Sequence, residues 1–221
     1  MVRTSLLQFG QYVTEFTKYS ASKTGDGHSP MGTDDVANYN VTECLRDQRT
    51  VTLRAVRPDD KGLIIDGLNN VSAESIYRRF LMTKKEITPQ GLKQATEVDF
   101  VNVVALVAVV EKEGNARIAG GGRYIRTGPS GGGQRAEVAF LVGDAFQGLG
   151  IASRIFKHLV AIARDSGITQ FEAEVLPSNE AMFKVFARSG LPLTRTATRD
   201  TVNVVMELTR NGRAESRTHG C

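Results

Sequence analysis

Hydrophobic and polar residues are distributed along this chain in patterns that predict both strands and helices. Residues 50–56 alternate with a period of two, which is typical of a strand with one buried face. Residues 103–110 are an unbroken run of Val, Ala and Leu, which predicts a strand buried on both faces. Further strands are predicted over residues 116–125, 136–142, 170–175 and 203–208.

Helical periodicity fills the stretches between these strands. A helix over residues 148–166 would bury one aliphatic face, formed by Ile151, Ile155, Leu159 and Ile162. Thr88 followed by Pro89 fits an N-cap with proline in the first turn, and it predicts a helix to residue 96. Asp59 or Asp60 is expected to be the N-cap of another helix. Helices are also predicted over residues 61–69, 72–81 and 178–190.

The order of these elements predicts a single α/β domain over residues 49–209. Its central sheet would be mixed and mostly antiparallel, with helices on its faces. Residues 1–48 are rich in Ser, Thr, Gly and Asp, and we predict a disordered extension there. Residues 210–221 are expected to be a basic, flexible tail.

Composition excludes several classes of function. A net charge of +4 without a dense Lys/Arg run indicates ordinary solubility, with attraction of a polyanionic ligand as the alternative, and it predicts no nucleic-acid partner. The two cysteines, Cys44 and Cys221, cannot form a disulfide framework, which favours a reducing, cytoplasmic location. The three histidines lie far apart, so no metal site is predicted. The apolar runs are too short to span a membrane, so no membrane partner is expected.

Residues 147–153, with the sequence Gln-Gly-Leu-Gly-Ile-Ala-Ser, predict a binding site for a phosphate group. They lie between a predicted strand and the start of a predicted helix. Their small residues allow a ligand to approach the backbone, and the first N–H groups of a helix have no intrahelical partner. The helix dipole also favours negative charge at this end.

Residues 136–191 resemble the GNAT family of acetyl-CoA-dependent N-acyltransferases. Gln147, Gly150 and Ala152 fill the cofactor signature of that family, R/Q-x-x-G-x-G/A, and Asn179 and a helix ending at Gly190 follow. Residues 50–208 are more closely similar to the bacterial protein lysine acetyltransferases called Pat. The stretches that carry this similarity are residues 53–60, 75–80, 98–100, 122–126, 136–140 and 179–182.

The resemblance implies a GNAT-like sheet whose fourth and fifth strands splay apart, with acetyl-CoA as cosubstrate and no metal. The pantetheine arm would pair with the fourth strand, and a backbone N–H near Leu141 or Val142 could polarise the thioester carbonyl. Asn179 would form a hydrogen bond to the pantetheine side. The implied cofactor-binding residues are Phe140, Leu141, Val142, Gln147, Gly148, Leu149, Gly150, Ile151, Ala152, Ser153 and Asn179.

Glu137 is the candidate general base. A lysine ammonium has a pKa of about 10.4, so its neutral, nucleophilic form costs roughly 4.6 kcal/mol at pH 7. A base must therefore take the proton, directly or through a water. The likeness to Pat enzymes places the catalytic glutamate at Glu137, which would share a strand face with Ala139 and Leu141. The alternative is an ion pair with Arg123 or Arg135 across the hairpin.

Five other positions have two interpretations each. Phe186 occupies the position where many GNAT enzymes have a tyrosine as general acid. A general acid is not required here, because a thiol pKa of about 8.5 makes the thiolate a good leaving group. Met182 and Phe186 are expected to pack in the core, with ligand contact as the minority alternative. Arg154 and Lys157 could reach CoA phosphates or could be solvated charges. Tyr77 could line the acceptor cleft or simply pack in an amphipathic helix.

These patterns together predict an acetyltransferase that moves an acetyl group from acetyl-CoA to a primary amine. The acceptor favoured by the resemblance is a protein lysine, for example on an acyl-CoA synthetase. The alternatives are a small-molecule amine N-acetyltransferase and a catalytically silent CoA-binding module. A dinucleotide-binding domain is disfavoured because Ser153 breaks the G-x-G-x-x-G spacing.

Overall fold

The structure is a computed structural model that describes residues 31–80, 87–112, 114–127 and 134–208. The strands are β1 Asn40–Cys44, β2 Thr50–Ala55, β3 Val103–Lys112, β4 Asn115–Thr127, β5 Arg135–Val142, β6 Gln170–Val175, β7 Leu193–Ala197 and β8 Val202–Glu207. The α-helices are α1 Thr33–Ala37, α2 Lys61–Asn69, α3 Ala73–Phe80, α4 Pro89–Thr96, α5 Ile151–Asp165 and α6 Glu180–Ala187. Short 3-10 turns cover Pro58–Asp60 and Asp144–Phe146.

One mixed sheet holds these strands in the order β1-β2-β3-β4-β5-β6-β8-β7. Neighbouring strands are antiparallel except for β5 and β6, which are parallel. β5 and β6 pair only from Arg135↔Gln170 to Glu137↔Glu172, and they separate beyond Glu137. The mixed sheet and its splay confirm the fold that the sequence predicted. The splayed strands are the fifth and sixth, because β1 adds a strand at the edge of the sheet.

The segment that contains α1 and β1 corrects part of the prediction of a disordered extension over residues 1–48. β1 pairs with β2 along its whole length, from Asn40↔Arg54 to Cys44↔Thr50. Leu45, just after β1, is 2% exposed and belongs to the core. A free edge of β2 can recruit a short and largely polar strand mainly through backbone hydrogen bonds, which a hydrophobic pattern does not reveal. The remainder of that extension and the predicted tail at 210–221 lie outside the described residues.

The main core lies between α5 and the face of the sheet that α5 covers. All four aliphatic residues predicted for the buried side of this helix are at most 1% exposed, namely Ile151, Ile155, Leu159 and Ile162. A cluster of phenylalanines extends this core toward the splay, with Phe156 packed on Phe140 and Phe186 at ring-centroid distances of 5.6 and 5.3 Å. A smaller cluster covers the opposite face of the sheet and contains Val56, Ala105, Val107 and Val109.

Two helix starts show how local and tertiary effects differ. Thr88 caps α4 as predicted, because its side chain accepts a hydrogen bond from the N–H of Gly91. Asp60 occupies the N-cap position of α2, one of the two predicted alternatives, but its side chain forms no capping hydrogen bond there. Its buried carboxylate instead accepts bonds from the Arg54 guanidinium at 2.7 and 2.6 Å and from the N–H of Arg57 at 2.8 Å.

Burial alone would raise the pKa of Asp60. Hydrogen bonds from Arg54 and Arg57, together with their charges, outweigh that effect and hold the pKa of Asp60 below its ordinary value. The ion pair therefore fastens β2 to the start of α2. Among the helices of the described residues, none is long and apolar enough to cross a bilayer.

Candidate cofactor and catalytic site

The splay between β5 and β6 opens into a cleft of about 310 Å³. β5 forms one wall, and the end of β6 with the start of α6 forms the other. The loop before α5 closes one end. Because the two strands stop pairing at Glu137, the cleft offers space for an elongated ligand beside the free edge of β5.

Two hydrogen bonds at the ends of β5 define which way its backbone groups point. The N–H of Gly143 donates to the carbonyl of Ala119 in β4 at 2.9 Å. At the other end, the carbonyl of Gln134 accepts from the N–H of Thr169, next to β6, at 2.7 Å. Residues along a strand alternate in the side to which they bond, and the register of β4 with β5 has no shift. Odd-numbered residues of β5 therefore bond to β4, and even-numbered residues face β6 or the cleft.

This alternation directs the N–H groups of Phe140 and Val142 into the cleft. The N–H of Leu141 faces β4 instead. Of the two candidates for polarising a thioester carbonyl, Leu141 and Val142, the backbone geometry favours Val142. All three residues line the cleft with their neighbours on β5.

The loop before α5 has the backbone geometry of an anion cradle. Gly148 and Gly150 have φ of 76° and 86°, in the left-handed region, and Gly150 is the N-cap of α5. The first hydrogen bond inside the helix joins the N–H of Arg154 to the carbonyl of Gly150 at 3.1 Å. The preceding N–H groups, of the first helical turn, thus have no carbonyl within the helix to bond. The predicted phosphate-binding residues that line the cleft are Gln147, Gly148, Gly150, Ile151, Ala152 and Ser153, whereas Leu149 packs against the core.

The side chain of Gln147 holds this loop in place. Its amide nitrogen donates to Ser75 Oγ and to Asp144 Oδ1, each at 3.0 Å. Asp144 in turn accepts from Ser75 Oγ at 2.6 Å and from the N–H of Ser72 at 2.7 Å. The start of α3 is therefore fastened to the cradle. Sequence reasoning missed Asp144, whose only sequence signal is its position three residues before Gln147.

Asn179 combines a structural and a ligand-facing role. Its side-chain oxygen accepts from the N–H of Met182 at 3.2 Å and caps α6, while the residue lines the cleft. Its side-chain N–H groups take no part in that cap and are chemically suited to a carbonyl of an extended ligand. Phe186 is 1% exposed, which confirms its predicted place in the core, and it also contributes to the apolar cleft wall.

Glu137 lies at the point where β5 and β6 begin to separate. It shares a strand face with Ala139 and Leu141, as the alternation predicted, and it is exposed. Arg135 forms its ion pair with Glu172, at 3.8 Å, so the predicted alternative pairing of Glu137 with Arg135 is not the one formed. Burial lowers the pKa of Arg123, and the negative charge of Glu137 opposes that shift, so Glu137 and Arg123 attract each other.

Glu174 is a second carboxylate at this site that sequence reasoning missed. It lies on β6 and lines the cleft, whereas Glu137 is not among the lining residues of the described chain. Burial, and secondarily the charge of Glu137, raises the pKa of Glu174. The signal in the sequence was the alternation of β6, which places Glu172 and Glu174 on one face.

Residues of β1 form ion pairs and hydrogen bonds with the cationic side chains at the start of α5. Arg154 donates to the carbonyls of Cys44 and, at 3.3 Å, Gly150. The Glu43 carboxylate lies 3.1 Å from Arg154, 3.7 Å from Lys157 and 3.0 Å from His158. Arg154 and Lys157 therefore have a structural partner in Glu43, which neither of their two predicted interpretations included.

Two further observations concern the exposure of Tyr77 and the side chains that could bind a metal. Tyr77 on α3 is 43% exposed, so it is not a packed core residue. Across the described ranges, no group of three His, Cys, Asp or Glu side chains could hold a metal ion.

The splayed sheet offers a strand edge to an extended ligand and a helix start to an anionic group. The sequence profile of the acetyltransferase (GNAT) family matches residues 73–191. The chain belongs to this family, and it is an acetyl-CoA-dependent acetyltransferase.

Individual acetyltransferases are also similar to this chain. Acetyltransferase PA5475 of Pseudomonas aeruginosa is 32% identical over 140 residues, which cover 63% of this chain and 74% of that protein. Acetyltransferase Pat of Mycolicibacterium smegmatis is 36% identical over 138 residues, 62% of this chain and 40% of Pat. The crystal structure of the GNAT domain of S. lividans PAT has a TM-score of 0.69 and 35% identity, covering 76% of this chain and 96% of that one.

Proposed function

We propose that the protein acetylates the side-chain amine of a lysine on a protein substrate, for example an acyl-CoA synthetase. The enzyme class follows from the family, and the choice of acceptor is supported by the likeness to the two Pat proteins. The observation that carries the proposal is the splay at Glu137. It opens a cleft beside a strand edge, an anion cradle and Glu174, and Glu137 lies where the two strands separate.

The residues of this chain would act mainly by positioning and by moving one proton. The cradle before α5 would hold the phosphates, and the free edge of β5 would hold the pantetheine arm. Acetyl-CoA supplies an acetyl group activated as a thioester. The N–H of Val142 would donate to the thioester carbonyl and stabilise the charge that develops on its oxygen. Asn179 would bind the arm from the opposite wall.

Glu137 would be the general base. It would accept one proton from the acceptor ammonium, directly or through a water, and the neutral nitrogen then forms the C–N bond as the C–S bond breaks. The second proton that this nitrogen loses on becoming an amide would pass to solvent water. The thiolate leaves without a donated proton, since Phe186 has none to give. Glu174 is the second candidate, because it lines the cleft and burial raises its pKa, which strengthens a carboxylate as a base.

The test is release of free CoA thiol from acetyl-CoA with three acceptors: a purified acyl-CoA synthetase, a lysine peptide and a small diamine. Glu137→Gln should lower kcat by about 10²- to 10⁴-fold and leave the KM for acetyl-CoA nearly unchanged. Glu174→Gln, a matched loss of one carboxylate, should keep kcat within about tenfold. Full activity of Glu137→Gln would exclude Glu137 as the base, and a selective loss in Glu174→Gln would transfer that role to Glu174.

The acceptor panel also separates the alternatives. Faster turnover of the diamine than of either lysine substrate would favour a small-molecule acetyltransferase. Tight binding of acetyl-CoA with no thiol release from any acceptor would favour a silent module. We also propose a cytoplasmic location, for which the support is the exposed, free thiol of Cys44.

A further inference from the structure

The turn after β1 lies against the phosphate-binding loop. Leu45 anchors this turn in the core, and its N–H donates to the carbonyl of Arg49 at 2.7 Å. Gln48 closes the turn with a bond from its N–H to the carbonyl of Leu45 at 3.2 Å. The turn precedes residues 73–191, which the family profile covers, so the family match assigns it no role.

Arg46 extends from this turn into the cofactor cleft. It is exposed, it lines the cleft, and its Nη1 donates to the carbonyl of Gly148 at 3.2 Å. Its Nε would lie 3.7 Å from a Cβ placed on Gly150. Because a guanidinium has five N–H donors, the bond to Gly148 leaves others for a ligand in the cradle.

Arg46 differs from the other cations near the start of α5. Arg154 and Lys157 both lie within ion-pair distance of Glu43, at 3.1 and 3.7 Å. In the part of the chain that the structure describes, no carboxylate forms an ion pair with Arg46. Its positive charge therefore adds to that of the helix start, in a place where an anion is needed to balance both.

We propose that Arg46 binds a phosphate group of acetyl-CoA, which makes β1 and its turn part of the cofactor site. This inference rests on acetyl-CoA as cosubstrate and not on the identity of the acceptor or the base. Both the pyrophosphate and the 3′-phosphate have the required chemistry, since each presents anionic oxygens that accept charge-assisted hydrogen bonds from a guanidinium.

The test measures dissociation constants of CoA and of dephospho-CoA by calorimetry at low and high salt. Arg46→Gln should weaken CoA binding by about tenfold, as expected for one charge-assisted hydrogen bond at a partly exposed site. It should also reduce the salt dependence of binding, and Arg46→Lys should recover part of the loss. Arg117→Gln on β4 removes one exposed positive charge outside the cleft and should bind CoA like the wild type.

Each outcome bears on the inference. A loss with CoA that disappears with dephospho-CoA assigns Arg46 to the 3′-phosphate, and a loss with both ligands assigns it to the pyrophosphate. Wild-type affinity in Arg46→Gln would overturn the inference. So would a weaker affinity with unchanged salt dependence, because Arg46 would then only support the Gly148 carbonyl. Failure of the wild-type protein to bind CoA would overturn the cosubstrate itself, which distinguishes that failure from the failure of Arg46.

Discussion

Replacing Gly122 with alanine should destabilise the protein through one clash at the centre of the sheet. Gly122 on β4 pairs with Phe140 on β5. A Cβ at this position would lie 2.6 and 2.9 Å from two ring carbons of Phe140 and 2.7 Å from a methyl carbon of Ile155. These distances are about 1 Å shorter than an optimal carbon–carbon contact. Both neighbours are buried, and the Phe140 ring already packs on Phe156, so neither can easily move away.

Overpacking of this kind costs about 1–3 kcal/mol, and for a chain of this length 2 kcal/mol corresponds to a fall of about 4–8 °C in Tm. Gly121→Ala is the matched control. Its Cβ would meet the Leu106 carbonyl at 3.4 Å and a Val107 methyl at 3.9 Å, which are ordinary contacts. Urea and thermal unfolding of both variants measure the difference. Equal stability of the two variants, within about 0.5 kcal/mol, would refute the packing argument. Because Phe140 also lines the cleft, Gly122→Ala should raise the KM for acetyl-CoA as well.

Three other substitutions test separate features. Asp60→Asn should cost about 3 kcal/mol at pH 7, because Arg54 stays buried without its counter-charge. Since the pKa of Asp60 is lowered by folding, its stabilisation is complete above the unfolded-state pKa of about 3.9 and is lost as the pH falls through the lower folded-state value. Urea unfolding of the wild type and of Asp60→Asn at pH 7 and pH 3 measures this stabilisation. An equal loss of unfolding free energy in the variant at both pH values would contradict the argument. Gly150→Ala should lower the free energy of unfolding by about 1 kcal/mol or more and weaken acetyl-CoA binding. The reason is that φ is 86° and the new Cβ would lie 2.7 Å from Arg154. Calorimetry and melting curves that match those of the wild type would exclude both effects. Asn179→Ala should cost about 1 kcal/mol and raise the KM for acetyl-CoA. Asn179→Asp keeps the capping oxygen, so it should restore the stability but not the KM for acetyl-CoA. Recovery of both the stability and the KM would assign the KM effect to the helix cap.

Elements with strong periodicity could be predicted from the residues alone. The aliphatic face of α5 repeats every three or four residues, and burial of that face requires no knowledge of its partner. The start of α4 was equally local, since Thr88 and its proline act within one turn. β1 could not be predicted in this way, because its pairing depends on the free edge of β2. Asp60 shows the same limit, since its carboxylate is used by Arg54 rather than by the nearest helix.

The residues of the candidate site also differ in whether the local sequence predicts them. The anion cradle could be predicted because a strand, a small-residue turn and a helix are contiguous in the sequence. Glu174 and Arg46 reach the cleft from different elements, and Asp144 fastens α3 to the loop beside it, so only the folded sheet brings the three residues together. The backbone direction along β5 is also a property of register. It directs the N–H of Val142, and not that of Leu141, into the cleft, and the residue types do not determine this direction.

The gap between β5 and β6 has a thermodynamic consequence. Past Glu137 the two strands expose inner edges to each other without bonding, so the folded sheet is incomplete until a ligand lies along β5. A ligand that binds only the folded chain stabilises it by RT ln(1 + [L]/Kd), about 2.7 kcal/mol at a hundredfold excess over Kd. Unfilled strand edges are also the places where chains associate wrongly. We therefore expect the half-life of the purified protein against proteolysis to lengthen as the CoA concentration rises above Kd.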